Sequence, residues 1–568
     1  MQRRLHRFIF GFALVTLGVL FIAPLSMVIS GGFHVGGRFT LKYLAGVFQN
    51  PIYAEGLVRS VMIAIGTTTL ATLVAIPLAW LSNRFEFAGK KWINGLVLIP
   101  MILPPFVGAI GFQQILGQYG VLNALLGLGP IDWLGRGRYF GVILLQALAL
   151  YPILYLNVTA ALANIDPAME EAAENLGCRA LRRFTRITLP LMMPGLFAGG
   201  TIVFIWSFTE LGTPLIMNYT RCAPVQVFDA LKEIGTNPFP YALVCVMLTA
   251  SVGLYAVSRF VFGRKAYAMQ SKAATASTAA RVHGPRAMLV ALPFLVVIGL
   301  AILPHIGVIL TSFSEPGSWY RSVLPARFTT ENYIEALGHS MTVSSIRNSL
   351  LYSSLAVFAN AILGIAIAFV VVRSDIRWRG ALDTLAMLPL AVPGLVMAFG
   401  YLAISSRLSN LDAVKDSPLL QSLVDVRVNP TLFLVIAYSV RRLPYMVRSA
   451  VAGLQQTSVT FEESAANLGA GPMTTLRRIT LPLISANLIA GALLAFAFSM
   501  LEVSDSLMLA QRSDFYPITK TIYELFGLIG TGKYVAAALG VWAMAFLTVT
   551  ILGSSLILGR KLGALFRA

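Results

Sequence analysis

Residues 171–190 read EAAENLGCRALRRFTRITLP, and residues 463–482 read ESAANLGAGPMTTLRRITLP. Both run 19 positions from the opening Glu to the closing Pro, and they lie 292 positions apart. A spacing duplicated in this way means that one chain holds two copies of one structural unit. Each stretch is polar and basic, and each sits between long apolar runs.

Those runs set the fold class. Of the 568 residues, 57% are hydrophobic and 12% are charged, about half the charged share of a soluble domain. The apolar runs are about 20 residues or longer rather than about 10 with alternation, which selects helices over a barrel. Six spans are expected in the first half, at roughly 8–29, 57–81, 93–116, 139–163, 191–217 and 241–262. Six more follow at 287–311, 346–372, 381–404, 430–454, 483–510 and 534–558. The expectation is an all-α membrane protein of about 12 transmembrane helices in two tandem halves. These are residues 1–263 and 287–568, joined by a polar, basic linker at 264–286.

The first run invites reading as a cleaved signal peptide, but it is long and no A-x-A-like site closes it. Read as a retained span after Arg3, Arg4 and Arg7, it puts the N-terminus in the cytoplasm. Parity then puts both duplicated stretches there, and the C-terminus with Arg560, Lys561 and Arg567. The net charge of +19 is positive-inside bias rather than a nucleic-acid footprint. Cys178, Cys222 and Cys245 have no paired spacing, and the five histidines are scattered. No metal site is expected.

The pattern E-A-A-x3-G-x9-I-x-L-P resembles the cytoplasmic coupling motif of permease subunits in ATP-binding-cassette importers. The second copy departs at Ser464, a small-for-small change. The resemblance implies a fused pair of type I importer permease halves, related by a pseudo-two-fold axis along the membrane normal. It also implies that the loops at 166–190 and 457–482 dock onto a homodimeric cytoplasmic ATPase. Glu171, Ala172, Ala173 and Gly177, and Glu463, Ser464, Ala465 and Gly469, would form the docking elbows. A periplasmic binding protein would present the cargo, and ATP and Mg would belong to the ATPase, with no cofactor in this chain. The location implied is the bacterial inner membrane.

Local residues support the elbow. Asp166-Pro167 fits a helix start, with Asp as N-cap and Pro at the first helical position. Glu170, Glu171 and Glu174 follow in the first turns, where the helix dipole favours acids. Gly177 suits a C-cap. An interfacial amphipathic loop accounts for one such stretch, but not for two with the same internal spacing.

Charged residues inside spans are costly and mark function. The candidates are Glu210 in IWSFTELGTP, Glu502 and Asp505 in FSMLEVSDSL, and Arg441-Arg442 in AYSVRRLPYMVRS. Glu210 and Glu502 hold equivalent places and are expected to line a central pathway. The alternative is an internal ion pair of Glu502 or Asp505 with Arg441 or Arg442. The segments FTELGTP and AYSVRRLPYMVRSAVAGLQQ resemble fused permeases of the ferric-iron group, whose close relatives carry 2-aminoethylphosphonate, thiamine or sugar phosphates. An ion-coupled secondary transporter is the rival class, but it has no use for coupling elbows. Gly527 to Lys533 matches G-x4-G-K, yet Tyr534 follows where a phosphate loop needs Ser or Thr. ATP hydrolysis is therefore assigned to a partner.

Overall fold

A computed structural model describes residues 2–35, 38–102, 104–234, 236–269 and 279–558. The middle of the expected linker (270–278) and the basic tail residues Arg560, Lys561 and Arg567 lie outside the described residues. In the first half the main helices are α1 (Arg4–Phe33), α2 (Pro51–Arg84), α3 (Pro105–Leu116), α4 (Tyr139–Ala163), α5 (Pro167–Asn175), α6 (Leu189–Phe208), α7 (Gly212–Ile216) and α8 (Phe239–Met269). The second half repeats the series as α9 (Pro285–Phe313), α10 (Ser340–Arg373), α11 (Gly394–Ser409), α12 (Thr431–Gln456), α13 (Thr460–Asn467), α14 (Leu481–Met500) and α15 (Ser504–Leu509). It closes with α16 (Ile518–Phe526) and α17 (Gly532–Leu558).

Among the described residues, nine helices are long and apolar enough to cross a bilayer, or eleven if each of two bent pairs is one span. The twelfth expected span, α12, has 26 residues and is long enough. It carries Arg441, Arg442 and Arg448, which lower its hydropathy. The helical, two-half membrane architecture expected from the sequence is borne out; the only strands among the described residues are two-residue pairs, His34–Val35 with Arg38–Phe39 and Phe85–Glu86 with Ala280–Arg281.

Four of the expected spans are not single continuous helices. The third span of each half is broken, by 94° between Lys90–Met101 and Pro105–Leu126 and by 98° between Arg379–Leu390 and Gly394–Ser409. Pro104-Pro105 and Pro389 with Pro393 lie at these bends. A proline donates no hydrogen bond and pushes the residue before it off the helical region. The spans expected at 191–217 and 483–510 stop early, at Phe208 and Met500. Each resumes as a short helix, α7 or α15, after a three-residue break.

The first span of each half packs on the broken third span of the other. A methyl added at Gly111 in α3 would lie 2.1 Å from the Pro304 carbonyl oxygen in α9. One added at Gly400 in α11 would lie 2.7 Å from the Pro24 carbonyl oxygen in α1. Only glycine allows backbones so close. The Tyr401 hydroxyl also donates to the Leu20 carbonyl at 2.8 Å. This exchange interlocks the halves around a shared core.

Candidate functional site

The two duplicated stretches fold as elbows at the same end of the bundle. In the first, Asp166 Oδ1 accepts from the Ala168 N–H at 3.0 Å and caps α5. Gly177 and Gly469 turn the chain with φ of +77° and +83°, the left-handed region that glycine enters without strain. After each turn comes a five-residue π-helix, Phe184–Thr188 or Leu476–Thr480, leading into α6 or α14.

The neighbour of each motif Glu anchors the elbow. Glu170 pairs with Arg84 at the end of α2 at 2.8 Å and accepts from Thr188 at 2.5 Å. Glu462 does the same with Arg373 at the end of α10 (3.2 Å) and Thr480 (3.3 Å). The π-helices place these threonines, and such bulges recur at functional sites. Sequence reading missed this triad. The signal was present, since Arg84, Glu170 and Thr188 recur at nearly constant spacing as Arg373, Glu462 and Thr480.

With their neighbours anchoring the fold, Glu171 and Glu463 point away. Both are exposed, and their carboxylates make no hydrogen bond or ion pair among the described residues. Ala172 and Ser464 are exposed beside them, while Ala173 is half-buried and Ala465 buried. Leu176 and Leu468 follow, 88% and 89% exposed. A single exposed leucine is ordinary on a protein surface, but this one recurs at the same place in both copies. The sequence had singled out the acids and glycines here, but not the leucines.

The intramembrane candidates meet in a central cavity of about 180 Å³ between the halves. Glu210, Glu502, Arg441 and Arg442 all line it. Glu210 and Glu502 lie in the breaks after α6 and α14 rather than within helices, which corrects the expectation. The breaks touch, because a methyl added at Gly212 would lie 2.8 Å from a Val503 Cγ.

The two carboxylates have unlike surroundings. Glu502 accepts from Arg441 Nη1 at 2.8 Å and from Arg442 Nη2, so the ion-pair alternative holds there. Asp505, buried, stands 3.7 Å from Arg441 Nη1 with no hydrogen bond to either carboxylate oxygen. Glu210 instead accepts from the Thr213 N–H at 2.9 Å, capping α7, and weakly from Gln146 Nε2 at 3.4 Å. Gln146 also accepts from Ser207 and Thr67. Gln146 was not foreseen, since a lone Gln in an apolar run carries no pattern. The segment from Gly527 to Lys533 follows helix α16 rather than a strand, as rejection of a phosphate loop requires. Among the described residues no cluster of His, Cys, Asp or Glu is placed to hold a metal.

A bundle of two interlocked halves, with paired elbows at one end and a charged cavity between broken helices, defines a membrane translocation subunit. The family model for the inner membrane component of binding-protein-dependent transport systems matches residues 71–264 and 360–559, more than half of the chain. The chain belongs to that family and is a multi-pass permease of the ATP-binding-cassette importer type. The putative ferric transport system permease protein FbpB 1 of Haemophilus influenzae is 26% identical over 82% of this chain and 70% of its own length. The ferric transport system permease protein FbpB of Actinobacillus pleuropneumoniae is 26% identical over 81% of this chain, which spans 64% of that protein. A probable molybdenum ABC transporter permease protein of Haloferax volcanii is 32% identical over 36% of this chain and 74% of its own length.

Proposed function

We propose that this chain is the translocation subunit of an importer for ferric iron, driven by a separate ATPase that binds one copy at each elbow. The carrying observation is the division of labour within each elbow. Glu170 and Glu462 tie the elbow to α2 and α10, while Glu171, Leu176, Glu463 and Leu468 stay exposed for a partner. A push on the elbow then reaches the spans through these ion pairs and moves them as bodies. The elbow end is the cytoplasmic end in this reading, with both termini there. Residues 1–263 and 287–568 act as the two halves, and 264–286 as their linker.

A periplasmic binding protein would deliver the cargo to the far end. Ferric iron as cargo is supported by the two ferric relatives, whose similarity runs across both halves. A putative 2-aminoethylphosphonate permease of Salmonella choleraesuis matches 44% of this chain, which keeps a phosphonate cargo as the second reading. In the pathway, Glu210, Glu502, Arg441 and Arg442 supply a polar lining for a hydrophilic cargo, while Asp505, expected there too, is buried beside Arg441 outside the cavity wall.

The test is co-purification and uptake. Glu171→Arg with Glu463→Arg should release the ATPase while the chain stays inserted. Uptake of radiolabelled iron should stop when the ATPase gene is deleted; uptake that persists points to an ion-coupled carrier and overturns the reading. The ligand carried by the cognate binding protein decides between iron and phosphonate.

A further inference from the structure

A second cavity, of about 480 Å³, opens at the end of the bundle opposite the elbows. Helix α3 joins the two, since Pro105 lines the central cavity and its last turn reaches the second. The distance along α3 is about 18 Å. The wall comes from both halves, with Gln114, Tyr119 and Arg138 from the first and Trp319, Tyr320 and Lys533 from the second. Arg321 sits at the rim, its guanidinium 4.8 Å from the Tyr119 ring centre and 5.4 Å from that of Tyr320.

The basin is built, and two of its cations sit on strained backbone. Gln114 uses both ends of its amide, donating to the Trp319 carbonyl at 2.9 Å and accepting from Lys533 Nζ at 2.5 Å. The Arg138 guanidinium donates to the Met217 carbonyl at 3.3 Å. Among the described residues, Arg138, Lys533 and Arg321 make no ion pair. Asp132 also lines the basin, but its Oδ1 accepts from the Leu134 N–H at 3.1 Å. Arg138 and Arg321 have φ of +64° and +52°. A side chain resists that region, and strain of this kind gathers where a ligand is clamped. The third such residue, Asn218, follows the carbonyl that Arg138 grips.

The repeat gives an internal control. At the spacings that relate the halves, Gln113 and Gln114 correspond to Leu402 and Ala403, and Arg138 to Pro430. The second half therefore builds no such wall from the equivalent positions.

We propose that this basin binds a small oxyanion of the phosphate or phosphonate class. Guanidinium and ammonium groups with tyrosines beside them suit such an anion, and the inference does not rest on the cargo of the central cavity. The probe is inorganic phosphate, titrated calorimetrically into the full chain in a maltoside detergent that carries no phosphate. Saturable binding is expected. Arg138→Gly, which suits the backbone φ there, and Lys533→Gln should each weaken it about tenfold or more, with melting temperatures kept. Arg407→Gln, an exposed cation elsewhere, should leave it unchanged. A short-chain phosphatidylglycerol that competes with phosphate would assign the basin to a lipid headgroup; failure to compete would assign it to a free anion. No saturable binding, or equal binding by both basin variants and the wild type, overturns the proposal.

Discussion

Glu210 and Glu502 occupy the same place in two copies of one unit, each in the break between a span and a short helix, each facing one cavity. Their neighbours differ. Where the second half has Arg441 and Arg442, the first has Ala149 and Leu150, and where the first has Gln146, the second has Tyr438. Tyr438 turns to Ser506 at 2.6 Å instead. Glu502 is thus locked to two guanidiniums, while Glu210 rests on an amide and a helix end. A buried ion cluster repays its desolvation only with good geometry, so its use is to fix one arrangement. The first-half centre has no such lock.

The largest effect that would sharpen this contrast is Glu502→Gln. It leaves Arg441 and Arg442 buried without a full countercharge, which should cost about 3 kcal/mol or more. Thermal unfolding in detergent measures it. Glu210→Gln, the same change on the other side, should cost under about 1 kcal/mol, because the amide still accepts from the α7 backbone. Equal losses for the two variants would break the comparison.

The elbows show a milder form of the same asymmetry. Arg373 is nearly buried and also donates to the Leu454 and Thr457 carbonyls, whereas the Arg84–Glu170 pair is partly exposed. Arg373→Ala should cost about 2 kcal/mol and Arg84→Ala about 1 kcal/mol or less. Amide hydrogen exchange in α13 should speed up in the first variant more than exchange in α5 does in the second. Smallest of all, Glu171→Arg and Glu463→Arg should each shift stability by less than about 0.5 kcal/mol, though both lie where a partner is proposed to dock. A melting shift well beyond that would show that these acids hold the elbow rather than wait for a partner.

The elbows were legible because caps, turns and their spacing are local, and because the repeat printed them twice. Asp166, Gly177 and Gly469 behave as their residue types dictate. The breaks at Thr209–Leu211 and Leu501–Val503 were not legible as breaks: Glu210 and Glu502 marked the places, but an acid in a long apolar stretch reads equally as a charged residue inside a continuous span. The Arg84–Glu170 pair spans 86 positions and the Arg373–Glu462 pair 89, so each is visible only once the two halves are laid over each other. The bends in the third spans were hinted at by their prolines, but a proline alone does not decide between a kink and a right angle.

The exchange of first spans has a cost in time. Tyr401 reaches Leu20 across 381 positions of chain, and Gly400 is what lets α11 close on Pro24. At about 5–20 residues per second, the ribosome needs roughly 20 to 80 seconds between making the two surfaces. Part-way through that interval α8 is made and can cover Gly31 and Gly32 through Tyr241 and Cys245, but Leu20 and Pro24 wait for α11. Assembly of this protein is therefore paced by its translation, and a chain halted before residue 400 leaves Leu20 and Pro24 without their α11 partner.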